Sequence, residues 1–234
     1  IASENFVSRA VLEAAGSHFD ESHTVRAFGE RYTTFSPSVR EVKSLGERDL
    51  NKVALVGTPC QIFTIKKMQL LNVLPADSVV LTVGLFCMEN FSFNSKTRRA
   101  LEKKLSVKLG QIFKLNVKDD VLVTTAKGET IHIPFQELDE FARPACLACA
   151  DFTNEYADIS CGGIGSPDGY TTVILRTTAG ESLYNRARED QAIEELTHRN
   201  PGERRDSGTE MMAKIVAATR RKQARAARRM GGAK

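Results

Sequence analysis

The sequence predicts an α/β fold, a mixed open sheet with flanking helices, because short β-branched apolar runs alternate with segments of helical periodicity. Val53-Ala54-Leu55-Val56-Gly57 and Val79-Val80-Leu81-Thr82-Val83-Gly84-Leu85-Phe86 have the length and composition of buried strands. Each is followed by a helical pattern, over Gln61–Leu71 and Asn94–Leu105. Cys60 and Cys87 stand just past the two runs, and open α/β sheets gather ligands at the carboxyl ends of their strands.

The remaining elements follow in order. Residues 3–17 form a helical pattern: Ser3 can cap it, and Phe6, Val7, Ala10, Val11 and Ala14 supply an apolar face. A loop through 31–37 leads to a charged surface helix over 39–50. In Gln61–Leu71, Ile62, Ile65, Lys66 and Gln69 share the helical pattern, and its start points free amides toward whatever lies beside Cys60. Alternation then changes to period two over Gln111–Val117, Val121–Thr125 and Thr130–Pro134, with a Lys127-Gly128 turn between the last two. Ile159–Gly169 reads as a glycine-rich loop, Thr171–Arg176 as a strand, and 181–196 and 208–229 as helices separated by the Asn200-Pro201-Gly202 break. The expected organisation is an N-terminal helix within 1–30, a main domain over 31–200 and a basic C-terminal helix over 201–234.

Composition bounds the function. The chain has 234 residues, a 41% apolar fraction sufficient for a full core, and a net charge of only +4. No apolar stretch reaches membrane-spanning length, and Ile1-Ala2-Ser3-Glu4-Asn5 lacks the basic start and apolar centre of a secretory signal. With five cysteines and no such signal, the expected location is the reducing cytoplasm. No Ser/His/Asp set or carboxylate pair points to hydrolysis, and the four histidines are scattered. The basic run Arg220-Arg221-Lys222-Gln223-Ala224-Arg225-Ala226-Ala227-Arg228-Arg229 has no interleaved aromatics. It therefore reads as a helix that is solvated or faces another subunit, not as a nucleic-acid surface.

Four thiols carry the candidate chemistry. Cys60 and Cys87 at strand ends, with the C-x-x-C pair Cys146 and Cys149, can converge on one soft metal centre. Thiolates suit zinc and an iron–sulfur cubane alike, and the scattered spacing fits a cluster somewhat better than a two-knuckle zinc site. The plainer alternative makes Cys60 and Cys87 buried apolar residues. In Cys161-Gly162-Gly163-Ile164-Gly165-Ser166-Pro167-Asp168-Gly169, bare backbone amides can approach a phosphate or a flat ring, or simply form a tight turn.

Five motifs occur in order: Val56-Gly57-Thr58-Pro59-Cys60-Gln61-Ile62, Gly84-Leu85-Phe86-Cys87-Met88-Glu89-Asn90-Phe91-Ser92, Cys146-Leu147-Ala148-Cys149-Ala150-Asp151-Phe152, Ala157-Asp158-Ile159-Ser160 and Gly165-Ser166-Pro167-Asp168-Gly169-Tyr170-Thr171-Thr172-Val173-Ile174-Leu175-Arg176-Thr177. Together they resemble the β subunits of the coenzyme F420 hydrogenase/dehydrogenase family, from about Arg31 onward. The resemblance implies an iron–sulfur flavoprotein that moves hydride between F420 and FAD and single electrons through a 4Fe-4S cluster to hydrogenase or formate dehydrogenase subunits. It places the cluster on Cys60, Cys87, Cys146 and Cys149, with Cys161 as the substitute ligand. Gly57, Thr58, Gln61, Lys66, Asn90, Gly162, Gly163, Gly165 and Gly169 become the expected cofactor contacts, with Lys67, Arg143 and Arg176 as further cations for a pyrophosphate or the acidic F420 tail. The rival expectation is a non-catalytic, zinc-stabilised interaction module. Residues 1–17 are locally similar to the N-terminal region of serine hydroxymethyltransferase, although no pyridoxal-phosphate lysine motif follows.

Overall fold

The computed structural model describes residues 52–91, 94–117, 120–167, 169–198 and 200–231. The expected helices over 3–17 and 39–50, the loop over 31–37, the 1–30 segment with its hydroxymethyltransferase-like stretch, and Asp168 lie outside the described residues.

In chain order the elements are β1 (Val53–Gly57), α1 (Pro59–Leu70), β2 (Val79–Leu85), α2 (Ser95–Leu105), β3 (Ile112–Val117), β4 (Val121–Thr125), β5 (Thr130–Ile133), α3 (Pro144–Leu147), β6 (Ile159–Gly162), β7 (Thr172–Leu175), α4 (Thr178–Glu189) and α5 (Pro201–Gly231). A 3-10 stretch, Phe135–Phe141, precedes α3. Open sheets with flanking helices are observed. The parallel and antiparallel strands form two sheets, ordered β1-β2-β6-β7 and β3-β4-β5. They belong to two compact units. Among the described residues, the first takes in the chain up to Cys87, Thr153–Gly162 and Val173–Asn200; the second holds Met88–Phe152, Gly163–Thr172 and the chain from Pro201.

The first unit is built on β1–α1–β2. β1 runs parallel to β2, with Gly57 opposite Gly84, and β2 runs parallel to β6, with Leu85 opposite Cys161. β2 feeds separate clusters through Val79 and through Val83 and Leu85; strict alternation would set these on one face, and the register shift between Val53 and Ala54 in the β1–β2 pairing breaks it. Leu55, Ile62, Ile65, Ala76, Val79 and Ala157 form one cluster, and Val83, Leu85 and Cys161 the other. Pro at the first position of α1 fits because the missing N–H would be unsatisfied there in any case. The α1 C-terminus is tied down by Gln69, whose Nε2 donates to the carbonyls of Ala76 (3.0 Å) and Val79 (2.7 Å).

β6 was expected to be part of a glycine-rich loop. Its four residues pair with β2 because Ser160 and Cys161 are buried there, and Cys161 O accepts from Phe86 N at 2.7 Å. α4 starts and ends earlier than the 181–196 pattern suggested. Thr177 caps it by accepting from Gly180 N at 3.2 Å, and it stops at Glu189. Gly180 permits close approach: a Cβ there would lie 2.4 Å from the carbonyl oxygen of Asp158.

In the second unit β3, β4 and β5 make an antiparallel meander whose β4–β5 turn places Gly128 at φ 85°, as the Lys127-Gly128 pair predicts. α5 is 31 residues long and begins at Pro201, so Pro201-Gly202 opens the helix instead of separating it from its neighbour. Its buried residues Ile215, Ala218, Lys222 and Ala226 recur at helical spacing. The basic C-terminal helix is therefore not simply solvated. Lys222 is 2% exposed, and it is the largest of the fully buried side chains among the described residues.

Candidate functional site

Three parallel strands of the first unit deliver their carboxyl ends together. β1 ends at Gly57 and passes through Thr58 into α1. β2 ends just before Phe86 and Cys87, and β6 ends at Gly162. This is the arrangement expected at the crest of an open parallel sheet. The β1–α1 turn is closed locally: Thr58 N donates to Gln61 Oε1 at 2.8 Å, and Thr58 Oγ1 donates to the same oxygen at 3.1 Å. Gln61 therefore folds back on the turn as a reciprocal cap. Cys60 is exposed at the first turn of α1, with its Sγ 3.3 Å from Thr58 Oγ1, so the reading of Cys60 as a buried apolar residue is overturned. Cys87 is half-buried.

A turn over residues 153–158 braces this crest. Asn154 has φ 62° and is fully buried; its Nδ2 donates to Gly57 O at 2.9 Å and to Leu85 O at 3.4 Å, joining the ends of β1 and β2. Asp158 accepts from Thr82 N (2.8 Å), Thr82 Oγ1 (2.6 Å) and Thr177 Oγ1 (2.9 Å), and Lys66 Nζ lies 3.6 Å away. Burial works against the Asp158 carboxylate, but those hydroxyl bonds and the Lys66 charge outweigh it and hold the group below the usual carboxylate range. Arg176 donates from Nε to Ser160 Oγ (3.2 Å) and from its terminal nitrogen to Thr153 O and Oγ1. Lys66 and Arg176, both expected as ligand contacts, thus hold the protein's own frame. Only Ala157-Asp158-Ile159-Ser160 was singled out in the sequence; Asn154 gave no periodic or spacing signal.

The C-x-x-C pair belongs to the second unit. Pro144 opens the single turn of α3, which carries Cys146; Cys149 N donates to Cys146 O at 3.2 Å, and both thiols are half-buried. Beyond them, the carbonyl oxygen of Asp151 accepts from Lys222 Nζ at 2.7 Å and lies 3.7 Å from Cys149 Sγ. Arg225 bridges Glu89 and Asp139 (2.8 Å to the latter) and also donates to Met88 O at 3.0 Å. The Arg221 guanidinium stacks over Phe135, 4.9 Å from the ring centroid. Asn90 sits beside this cluster, with its carbonyl accepting from Arg143 N at 2.9 Å.

The expected cofactor contacts in the glycine-rich segment divide in the same way. At Gly162, which ends β6, a Cβ would fall 2.4 Å from the Phe86 ring, so this glycine serves packing. Gly163, Gly165 and Gly169 lie in the second unit. Gly165 and Gly169 adopt φ 82° and 87°, and the loop is tied by Ser166 Oγ, which donates to Gly163 O (3.1 Å) and Tyr170 O (2.9 Å).

These positions do not fit the metal and flavin cofactors expected from the sequence. Among the described residues no three His, Cys, Asp or Glu side chains group closely enough to hold a metal ion. The 4Fe-4S assignment is corrected accordingly, and the zinc alternative meets the same obstacle. Nor do the described residues provide a cluster of aromatic rings for FAD; Phe63 and Tyr156 form a tilted pair with centroids 5.3 Å apart. Cys161, the substitute ligand, is a core residue: it is 8% exposed, and burial pushes its thiol up to about 11. A small thiol reagent at neutral pH is therefore expected to label Cys60 first and Cys161 only on unfolding. Labelling of Cys161 in the native protein as fast as Cys60 would contradict this placement.

No helix among the described residues is long and apolar enough to cross a membrane. The family defined by the C-terminal part of the coenzyme F420 hydrogenase/dehydrogenase beta subunit matches residues 50–200. The chain is 34% identical over 175 residues to the coenzyme F420 hydrogenase β subunit of Methanosarcina barkeri, covering 73% of this chain and 60% of that protein. It is 33% identical over 174 residues to the corresponding hydrogenase β subunit of Methanococcus voltae, covering 73% of this chain and 61% of that one. Among solved structures, a chain of the F420-reducing NiFe hydrogenase complex of Methanosarcina barkeri matches with a TM-score of 0.64 and 33% identity, covering 80% of this chain and 67% of that chain. The chain thus spans less than two thirds of the length of these curated relatives.

Proposed function

We infer that this chain, which belongs to the family of coenzyme F420 hydrogenase/dehydrogenase β subunits, supplies the F420-facing part of an F420-linked oxidoreductase and takes part in electron transfer to partner subunits. The observation that carries the reading is the match to a chain of an F420-reducing hydrogenase complex at 33% identity across 80% of this sequence. F420 is a deazaflavin and exchanges two electrons together, as hydride. The protein's contribution is to orient the ring and exclude competing reactions. The partners proposed are the catalytic and electron-transfer subunits of a hydrogenase or a formate dehydrogenase, in a reducing compartment such as the cytoplasm, where free thiols persist.

The test is direct. F420 fluorescence is titrated with the full-length protein under anaerobic conditions, followed by an assay of F420-dependent dye reduction with the partner subunits present. Saturable quenching and F420-dependent turnover are expected. Fluorescence that stays unchanged at saturating protein would sink the assignment.

A further inference from the structure

Among the exposed large apolar side chains of the first unit, two aromatics stand against each other. Phe63 is 47% exposed and Tyr156 52%, with their rings tilted 57° apart at 5.3 Å. Tyr156 is presented by a turn that is held on both sides. Asn154 on one side is bonded to two strand ends, and Asp158 on the other is bonded to Thr82 and Thr177. Ala157 N closes the turn onto Asn154 O at 3.1 Å. An exposed aromatic on an ordered backbone costs little further entropy when a ligand lands on it. Phe63 comes from the solvent face of α1, where Cys60, Phe63 and Lys67 recur at helical spacing and all are exposed. Lys66 faces Asp158, whereas Lys67 makes no ion pair among the described residues. Four residues along the helix from Phe63, its Cβ stands about 6 Å from that of Phe63.

A flat ring beside an exposed ammonium suits a planar heteroaromatic with an anionic tail, which is the chemistry of a deazaflavin coenzyme and not of an apolar peptide. We propose that Phe63, Tyr156 and Lys67 form the F420 contact of this chain, with the deazaflavin ring against the exposed aromatic pair and the acidic tail at Lys67. This placement rests on the F420 reading above and deepens it. It also separates the two adjacent lysines: Lys66 holds Asp158, and Lys67 meets the ligand.

The test titrates F420, and separately the tail-less deazaflavin chromophore, into the full-length protein. The variants are Phe63→Ala, Tyr156→Ala, Lys67→Glu and Lys67→Arg, with Phe63→Leu and Tyr156→Leu retaining packing while removing the aromatic ring. Each aromatic substitution is expected to weaken both ligands about tenfold, the usual worth of one stacking contact. Lys67→Glu should weaken F420 at least several-fold and flatten its salt dependence, yet leave the tail-less ring unaffected; Lys67→Arg should restore F420. If the parent protein binds F420 and every variant binds it equally well, the placement is wrong and the F420 reading stands. If those variants instead lose only partner subunits, the patch is a protein interface and the placement is again wrong. If the parent protein binds neither ligand, both the placement and the F420 reading fall.

Discussion

Arg225→Met is expected to destabilise the second unit by about 3–5 kcal/mol, because it strands a buried carboxylate. The Glu89 side chain is 2% exposed and accepts from Arg225, itself 12% exposed. Asp139, the other partner, is 40% exposed and can be satisfied by water, so the loss centres on Glu89. Burial already pushes Glu89 above the usual carboxylate range despite the opposing pull of Arg225. Without the guanidinium the carboxyl must rise further and take up a proton. A group whose folded pKa is raised binds more protons in the native than in the unfolded state, so lowering the pH through that folded pKa restores stability. The deficit should therefore be larger at pH 8 than at pH 5, measured by denaturant midpoints with probes placed in each unit, since two units need not unfold together. The double variant Glu89→Gln/Arg225→Met should recover more than half of the loss. A single variant within 1 kcal/mol of the parent would mean that the contact carries no net stabilisation.

This cluster also marks where the sequence could not be read. The basic run over 220–229 gave a helix that is solvated or faces another subunit, since charge counts do not reveal which faces of a helix are covered. Lys222 and Arg225 are three residues apart and lie on the covered side, where the chain offers them Asp151 O, Glu89, Asp139 and Met88 O from distant segments. Only tertiary pairing distinguishes them from exposed Arg220 or Arg228. β1, α1 and β2 were legible because their apolar periods are long and their caps are local, as at Thr58 and Gln61. β6 was not, because four residues ending in glycine carry too little pattern to outweigh the loop signal; its pairing with β2 decides it. For the site, the strand-end positions of Cys60 and Cys87 were readable. The joint centre with Cys146 and Cys149 required long-range placement that spacing cannot supply, and the described residues do not form it.

Asp158→Ala is the second large effect, at about 3 kcal/mol, because three donors lose a buried acceptor together: Thr82 N, Thr82 Oγ1 and Thr177 Oγ1. The same residue joins β2 to the start of α4, where Thr177 also accepts from Gly180 N. Its loss should therefore loosen both the crest of the sheet and the turn that presents Tyr156. Burial opposes the charged form, but the threonine bonds and Lys66 hold its folded pKa below the unfolded value. A depressed carboxylate contributes stability above its unfolded pKa, and that stability is lost as the pH falls through the folded one. The parent should thus lose stability with acid below about pH 4, whereas Asp158→Asn should lack this part of the slope. Denaturant midpoints from pH 7 down to pH 2.5 for the two proteins measure the difference. Parallel curves would show that the carboxylate is not preferentially stabilised in the folded state. A steeper acid loss in the parent, with Asp158→Asn less stable at pH 7 but converging toward it in acid, would establish Asp158 as the ionised hub between strand, helix and the Tyr156 turn.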